Sequence, residues 1–242
     1  MKIWGIIPAR GGSKGLPGKN IRRLLGKPLI SYIISEAKKS KYLDRVLVST
    51  DSEEIAAISK ECGAEVPFLR PAELATDSAS TVDAVIHAVR MLQSQGQCIP
   101  EFVCVLQCTS PLTGAAHIDG IVEKLIDSGM DGAVSVCESE INPYWLQVFQ
   151  GERLQYLLKE GKSIARRQEL PPVYRINGAI YLVKTEVLLS ELTLEPEKIT
   201  GYIMESSDSI DIDNEYDFLL ADYMMRLKRE NEENRGCNRD EG

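Results

Sequence analysis

No stretch of this chain approaches the ~20 apolar residues that a membrane-crossing helix requires. No extended basic block precedes the tail, and the formal net charge is -8. A long nucleic acid is therefore not an expected partner, because such binding rests on Lys and Arg neutralising phosphates. A small anion needs only a few local cations and stays open. Histidine is scarce: His87 and His117 are the only two, both in segments of helical periodicity. His-Glu-x-x-His and Gly-x-Ser-x-Gly are missing, which sets aside zinc-protease and hydrolytic-triad chemistry. Cys62, Cys98, Cys104, Cys108, Cys137 and Cys237 form no Cys-x-x-Cys pair, so neither a zinc site nor a disulfide framework is expected. The opening Met1-Lys2-Ile3-Trp4-Gly5-Ile6-Ile7-Pro8 lacks the long apolar stretch and small-residue cleavage site of a secretory leader. It reads as a first strand, and a cytoplasmic location is expected.

What the chain does have is apolar residues, 43% of the total over 242 positions, enough for one α/β core with a sizeable excursion. Short β-branched runs (2–7, 45–50, 102–106, 132–137, 178–183, 199–204) alternate with helical periodicity. Pro28 opens one helix, Asp51 with Glu54 reads as the capping box of another, and Ser80 as the cap of a third. The nearly continuous apolar run Phe102–Leu106 suits a strand covered on both faces. This rhythm predicts a Rossmann-like, mostly parallel sheet flanked by helices. It breaks between residues 138 and 175, where aromatic, proline and charged residues cluster as an excursion, either a lid or an oligomer contact. One domain is expected over 1–229, with a helix over 216–227 and a polar, unordered tail over 230–242.

After the first strand comes Pro8-Ala9-Arg10-Gly11-Gly12-Ser13-Lys14-Gly15-Leu16-Pro17-Gly18-Lys19-Asn20. Its glycines let backbone N–H groups approach a ligand closely, and Arg10, Lys14 and Lys19 add three cations. Ser13 and Asn20 add hydrogen-bond donors. This is not a Walker A loop, since Ser13 stands in place of its first Gly and Asn20 in place of its hydroxyl residue. Nor is it Gly-x-Gly-x-x-Gly. A solvated turn is the plainer alternative, but cations among glycines at the end of a first strand favour a polyphosphate.

Near the other end, Ser209-Ile210-Asp211-Ile212-Asp213 alternates strictly. In a strand, Asp211 and Asp213 would share one face while Ile210 and Ile212 face the core. Asp-x-Asp alone also suits a solvated edge strand. Beside a polyphosphate loop, a Mg²⁺ site is the better reading, because Mg²⁺ takes one or two carboxylates plus phosphate oxygens and waters. Asp51 and Asp77 are rival carboxylates.

Taken together, these segments resemble the CMP-sialic acid synthetases, the acylneuraminate cytidylyltransferases. The resemblance lies in residues 7–15 with Lys19 and Asn20, then Leu69-Arg70-Pro71-Ala72-Glu73-Leu74-Ala75 leading to Asp77, Ser78 and Ser80. It continues through Gln107 with Thr109-Ser110-Pro111-Leu112, Arg167-Gln168 with Leu170-Pro171, Asn177-Gly178-Ala179-Ile180-Tyr181 and 208–213. The resemblance implies a nucleotide-diphospho-sugar transferase type of fold and transfer of CMP from CTP to a nonulosonic acid of the sialic type. It implies that Arg10, Ser13, Lys14, Lys19 and Asn20 hold the phosphates and ribose, with Arg70 and Ser80 around the cytidine and its phosphate. Gln107, Tyr181 and Arg167 would address the sugar acid, and Asp211 and Asp213 would bind Mg²⁺. Lys19, Asp211 and Asp213 would carry the catalysis. The excursion would make a homodimer contact and bring Arg167 to the neighbouring copy's site. Trp145 stands where some members have Lys, so legionaminic or pseudaminic acid remains an alternative substrate. A non-catalytic nucleotide-binding scaffold is the rival from another class.

Overall fold

The strands at Ile3–Pro8 and Phe102–Leu106 are apolar on both faces because helices cover both faces of the sheet they form. The protein is described by a computed structural model over residues 1–13 and 15–237, side chains excepted at 167 and 232–237. β1 (Ile3–Pro8) leads to a hairpin of β2 (Arg23–Leu24) and β3 (Lys27–Pro28), then α1 (Leu29–Lys39), β4 (Arg45–Ser49) and α2 (Glu53–Glu61). α3 (Thr81–Ser94), β5 (Phe102–Leu106), α4 (Ala115–Ser128) and β6 (Gly132–Glu138) follow. The chain then forms a separate hairpin, β7 (Gln147–Gln150) with β8 (Arg153–Tyr156), before β9 (Tyr174–Lys184). It ends with α5 (Thr185–Glu191), β10 (Ile199–Ile203) and α6 (Glu215–Cys237). Among the described residues no helix is long and apolar enough to cross a membrane.

The main sheet runs β10-β6-β9-β5-β1-β4. β1 pairs in parallel with β4 and β5, and β10 with β6, while β9 is antiparallel to both its neighbours. The expected mostly parallel sheet is thus present. Alternate strand residues feed two cores. Ile3, Ile7, Val46, Val48, Cys104 and Leu106 pack with α1, α2 and α4. Trp4, Ile6, Leu47, Val103 and Val105 pack with α3 and α5. A third cluster joins Leu16 of the first loop to Leu24, Leu29, Leu112, Ile212 and the α6 residues Phe218, Ala221 and Met225. That small core is what brings the two ends of the chain together.

Because the chain passes from β1 to β4 on one side and to β5 on the other, the strand order reverses beside β1. The carboxyl ends of β1 and β5 therefore frame a crevice of the kind in which open α/β sheets bind ligands. Across from it, β6 and β9 slip register between Val134 and Val136. The slack is taken up by a bulge around Asn177 and Gly178, and bulges commonly stand beside active sites. Asn177 is buried, accepts from the Ser135 hydroxyl at 2.6 Å and donates to Ser209 Oγ at 2.9 Å. Ala179 N also donates to its Oδ1 at 3.2 Å. Removing this amide strands several buried polar groups at once. Asn177→Ala is expected to cost roughly 2–4 kcal/mol of stability, read from denaturant midpoints, and a loss under 0.5 kcal/mol would contradict this account.

Three local expectations need correction. Asp51 does not cap α2: Ser52 does, its Oγ accepting from Ile55 N at 3.3 Å. Ser52 is in the extended conformation that a cap requires, and Asp51 is taken up elsewhere. Residues 209–213 form no strand. They run extended across the sheet's carboxyl end, tied by Ile212 N to Thr109 O at 2.9 Å. Finally, α6 continues through 230–237, part of the region expected as an unordered tail. Lys228, Arg229, Glu230 and their neighbours are good helix formers, and polarity alone does not end a helix. Between β6 and β9 the excursion exposes Phe149, Leu154 and Leu157.

Candidate active site

The crevice at the ends of β1 and β5 is a cavity of about 600 Å³. Its walls include Arg10, Ser13, Lys19 and Asn20 from the first loop, together with Arg70, Ser80, Gln107, Tyr181, Asp211 and Asp213. Ten of the residues singled out from the sequence therefore meet in one place. Lys14 lies outside the described residues. Of Arg167 only the backbone is described, in a 3-10 turn at Arg167–Glu169 within the excursion.

The first loop is held from several sides. Arg10 O accepts from Asn20 Nδ2 at 2.8 Å, and Gly11 N donates to Asp51 Oδ1 at 2.9 Å. Asp51 is therefore a strut of the loop, not a helix cap. Leu16 is buried in the third core. At Gly15 a Cβ would stand 2.3 Å from the carbonyl oxygen of Asp213, so only glycine lets the loop lie against the acidic segment.

The loop's cations reach across the cavity. Arg10 donates to Thr76 O at 2.6 Å and pairs with Asp77 at 2.8 Å. Lys19 Nζ donates to Ile212 O at 2.8 Å and to Asp213 Oδ1 at 3.0 Å. Arg70 is buried, its Nε has no hydrogen-bond partner among the described residues, and its Nη2 is 3.9 Å from Asp51 Oδ1. Burial lowers its pKa, opposed by Asp51 and reinforced by Arg10. A buried guanidinium with an unused donor beside a cavity is prepared for an anionic ligand.

Asp211 shows the complementary frustration. Burial pushes its pKa up from 3.8, Asp213 and Asp217 add repulsion, and Thr109 and Lys19 pull the other way. Its Oδ1 is buried with no hydrogen-bond partner among the described residues. Asp213 is exposed and engaged by Lys19. Among the described residues no group of three or more His, Cys, Asp or Glu forms a ready-made metal cage. Two carboxylates in a polar cavity, one with a stranded oxygen, instead fit a Mg²⁺ ion that completes its shell with ligand oxygens and water. The sequence pattern placed both aspartates correctly on one side, although the segment is not a strand.

The other walls are committed in part. Ser80 caps α3, accepting from Asp83 N at 3.0 Å. Asn20 is buried, with both ends of its amide engaged, since Cys108 Sγ donates to its Oδ1 at 2.8 Å. Gln107 N donates to Ala179 O at 3.0 Å, fixing the end of β5 on the β9 bulge. Tyr181 is half-buried, and burial raises its phenol pKa, helped by Glu195 and Asp211. Sequence reasoning missed Thr76 and Cys108 on the cavity wall. No local signal marks them, because their partners lie far away in the chain.

Comparison with known proteins adds four findings. A family model described as cytidylyltransferase matches residues 4–199. The CMP-N,N'-diacetyllegionaminic acid synthase of Legionella pneumophila is 36% identical over 233 residues, covering 95% of this chain and 99% of that protein. The N-acylneuraminate cytidylyltransferase of Streptococcus agalactiae serotype V is 36% identical over 236 residues, covering 94% of this chain and 56% of that longer protein. Among solved structures, a CMP:2-keto-3-deoxy-manno-octonic acid synthetase complexed with CTP aligns with a TM-score of 0.70 and 18% identity, covering 94% of this chain and 100% of the other. At that identity the last match speaks for the fold alone.

Proposed function

Because this chain belongs to the cytidylyltransferase family, we propose that it transfers CMP from CTP to the anomeric hydroxyl of a sialic-acid-type nonulosonic acid. The sugar oxygen forms a bond to the α-phosphorus, the bond from that phosphorus to the β-phosphate oxygen breaks, and pyrophosphate leaves. The observation that carries this reading is that the basic first loop and the Asp211/Asp213 segment meet in the lining of one cavity at the strand reversal.

Such a reaction asks little covalent chemistry of the protein. It asks for alignment of the incoming and leaving oxygens, and for charge that is already in place when the transition state forms. Arg10, Ser13, Lys14 and Lys19 hold the triphosphate, with Asn20 shaping their loop from within. Arg70 offers its unused Nε to the nucleotide, near Ser80. Asp211 and Asp213 hold Mg²⁺. Held there, the ion would supply Lewis-acid charge to offset that gathering on the departing pyrophosphate. Gln107 and Tyr181 line the sugar end. Arg167 meets the sugar carboxylate in a homodimer whose contact is the excursion, with its exposed Phe149, Leu154 and Leu157. We place the enzyme in the cytoplasm, where CTP is available.

A second acceptor, N,N'-diacetyllegionaminic acid, is favoured by the end-to-end match with the Legionella protein. Pyrophosphate release distinguishes the candidates. With Mg²⁺ and CTP, neuraminic, legionaminic, pseudaminic and 3-deoxy-octulosonic acids are supplied in turn. One nonulosonic acid is expected to exceed the others in kcat/KM by at least about 10²-fold, the discrimination a site gains by hydrogen-bonding a particular polar substituent. Binding of CTP with no pyrophosphate from any acid would restore the scaffold reading.

A further inference from the structure

We propose that Cys108 is a positioning residue for the nucleotide loop, its thiol donating to Asn20 Oδ1 and so fixing Asn20 Nδ2 on the carbonyl of Arg10. The inference rests on the reading of that loop as the CTP phosphate site.

The geometry is a relay of two bonds between groups distant in sequence. Cys108 Sγ is 2.8 Å from Asn20 Oδ1, and Asn20 Nδ2 is 2.8 Å from Arg10 O. Cys108 and Asn20 are both buried, and both border the cavity. An amide has one accepting end and one donating end, and which is which normally needs outside information. Here the chemistry settles it. Arg10 O can only accept, so Nδ2 must face it, and Oδ1 must then face a donor. The thiol is that donor. Burial pushes its pKa up to about 12, so it keeps its proton throughout the neutral range.

The consequence falls on the first turn of the loop. Arg10 O is held by Asn20 and the adjacent Gly11 N by Asp51. Two successive backbone groups are thereby pinned just where the chain leaves β1, and the Arg10 guanidinium departs from that point toward the cavity. Without the thiol, Asn20 Oδ1 is stranded in a buried place. The amide gains a reason to rotate, and Arg10 O loses its partner when it does. Ordering the loop around a triphosphate then becomes harder, while the sugar side is untouched. The thiol acts here as a hydrogen-bond donor, not as a nucleophile or a redox group.

The test measures CTP affinity by calorimetry, then KM for each substrate, kcat and the melting temperature. Cys108→Ala is expected to weaken CTP binding about five- to tenfold, the effect of one lost buried hydrogen bond. The KM for the acid and kcat at saturating CTP should stay within about twofold of wild type by the same reasoning. Cys108→Ser keeps a donor and should restore most of the affinity. In an Asn20→Asp background, Cys108→Ala should add little, because the relay is already broken. Where Ala fails to fold, Cys108→Val fills the thiol's volume without a donor. Wild-type CTP affinity in the Ala or Val variant overturns the proposal, as does a Ser variant as weak as Ala. A wild-type protein that binds no CTP overturns the function proposed above, a separate result from either of these.

Discussion

Lys19→Ala is expected to lower turnover at saturating Mg²⁺ and CTP by about 10²–10³-fold, the usual loss when one preorganised charge contact to a transition state is removed. The structure explains why a single ammonium matters so much. Lys19 arises from the loop after β1, yet its Nζ lies 2.8 Å from Ile212 O and 3.0 Å from Asp213 Oδ1 near the opposite end of the chain. It couples the first loop to the acidic segment. Asp213 is largely exposed, so the ion pair itself contributes little to folding. The melting temperature should therefore hardly move while turnover collapses. Lys19→Arg should recover only part of the activity, because a planar fork does not reproduce a compact charge between two acceptors. Rates within threefold of wild type for the Ala variant would remove Lys19 from the mechanism.

Asp211→Asn should separate stability from activity in opposite directions. The wild-type carboxylate is mostly buried, pushed up in pKa by that burial, and has one oxygen without a partner among the described residues. A neutral amide of the same shape relieves the buried charge. In the absence of ligand, Asp211→Asn is expected to stabilise the protein by about 1 kcal/mol, or about 2–4 °C in Tm for a chain of this size. Turnover should fall by about 10²–10³-fold. The sign with pH follows from linkage. A carboxyl whose folded pKa lies above its unfolded value leaves the native state progressively worse off as pH rises from the unfolded value through the folded one. The variant's advantage should thus be fully present at neutral pH. It should disappear below the ordinary carboxylate range, where Asp211 carries a proton whether folded or not. Mg²⁺ with CTP should reverse the order, stabilising wild type and leaving the variant nearly unchanged. A variant less stable than wild type at neutral pH, or one fully active, would contradict this role.

Much of the architecture is legible because hydrophobic alternation answers to burial, and burial is what builds the sheet. Phe102–Leu106 reads as a doubly covered strand and is one. Ser80 reads as a helix cap and is one. The failures share a cause. Ile210, Asp211, Ile212 and Asp213 alternate as a strand would, but the period reflects an extended segment with Ile212 in a small core, and alternation does not reveal whether an extended segment has a partner. Asp51 reads as a cap, but Gly11, 40 residues away, takes up its carboxylate, and Ser52 caps the helix instead. The link from Cys108 to Asn20 spans 88 residues and leaves no mark on either neighbourhood. Site residues recur in recognisable motifs, whereas the struts behind them are tertiary accidents of the packing.

The two ties across the cavity, Arg10 with Asp77 and Lys19 with Asp213, imply a selectivity by valence. Each cation is already satisfied by a fixed anion, so an incoming molecule must outcompete both carboxylates together. A singly phosphorylated nucleotide brings less charge to this competition than a triphosphate does. CMP is therefore expected to bind more weakly than CTP, a difference that calorimetry on the two nucleotides reads.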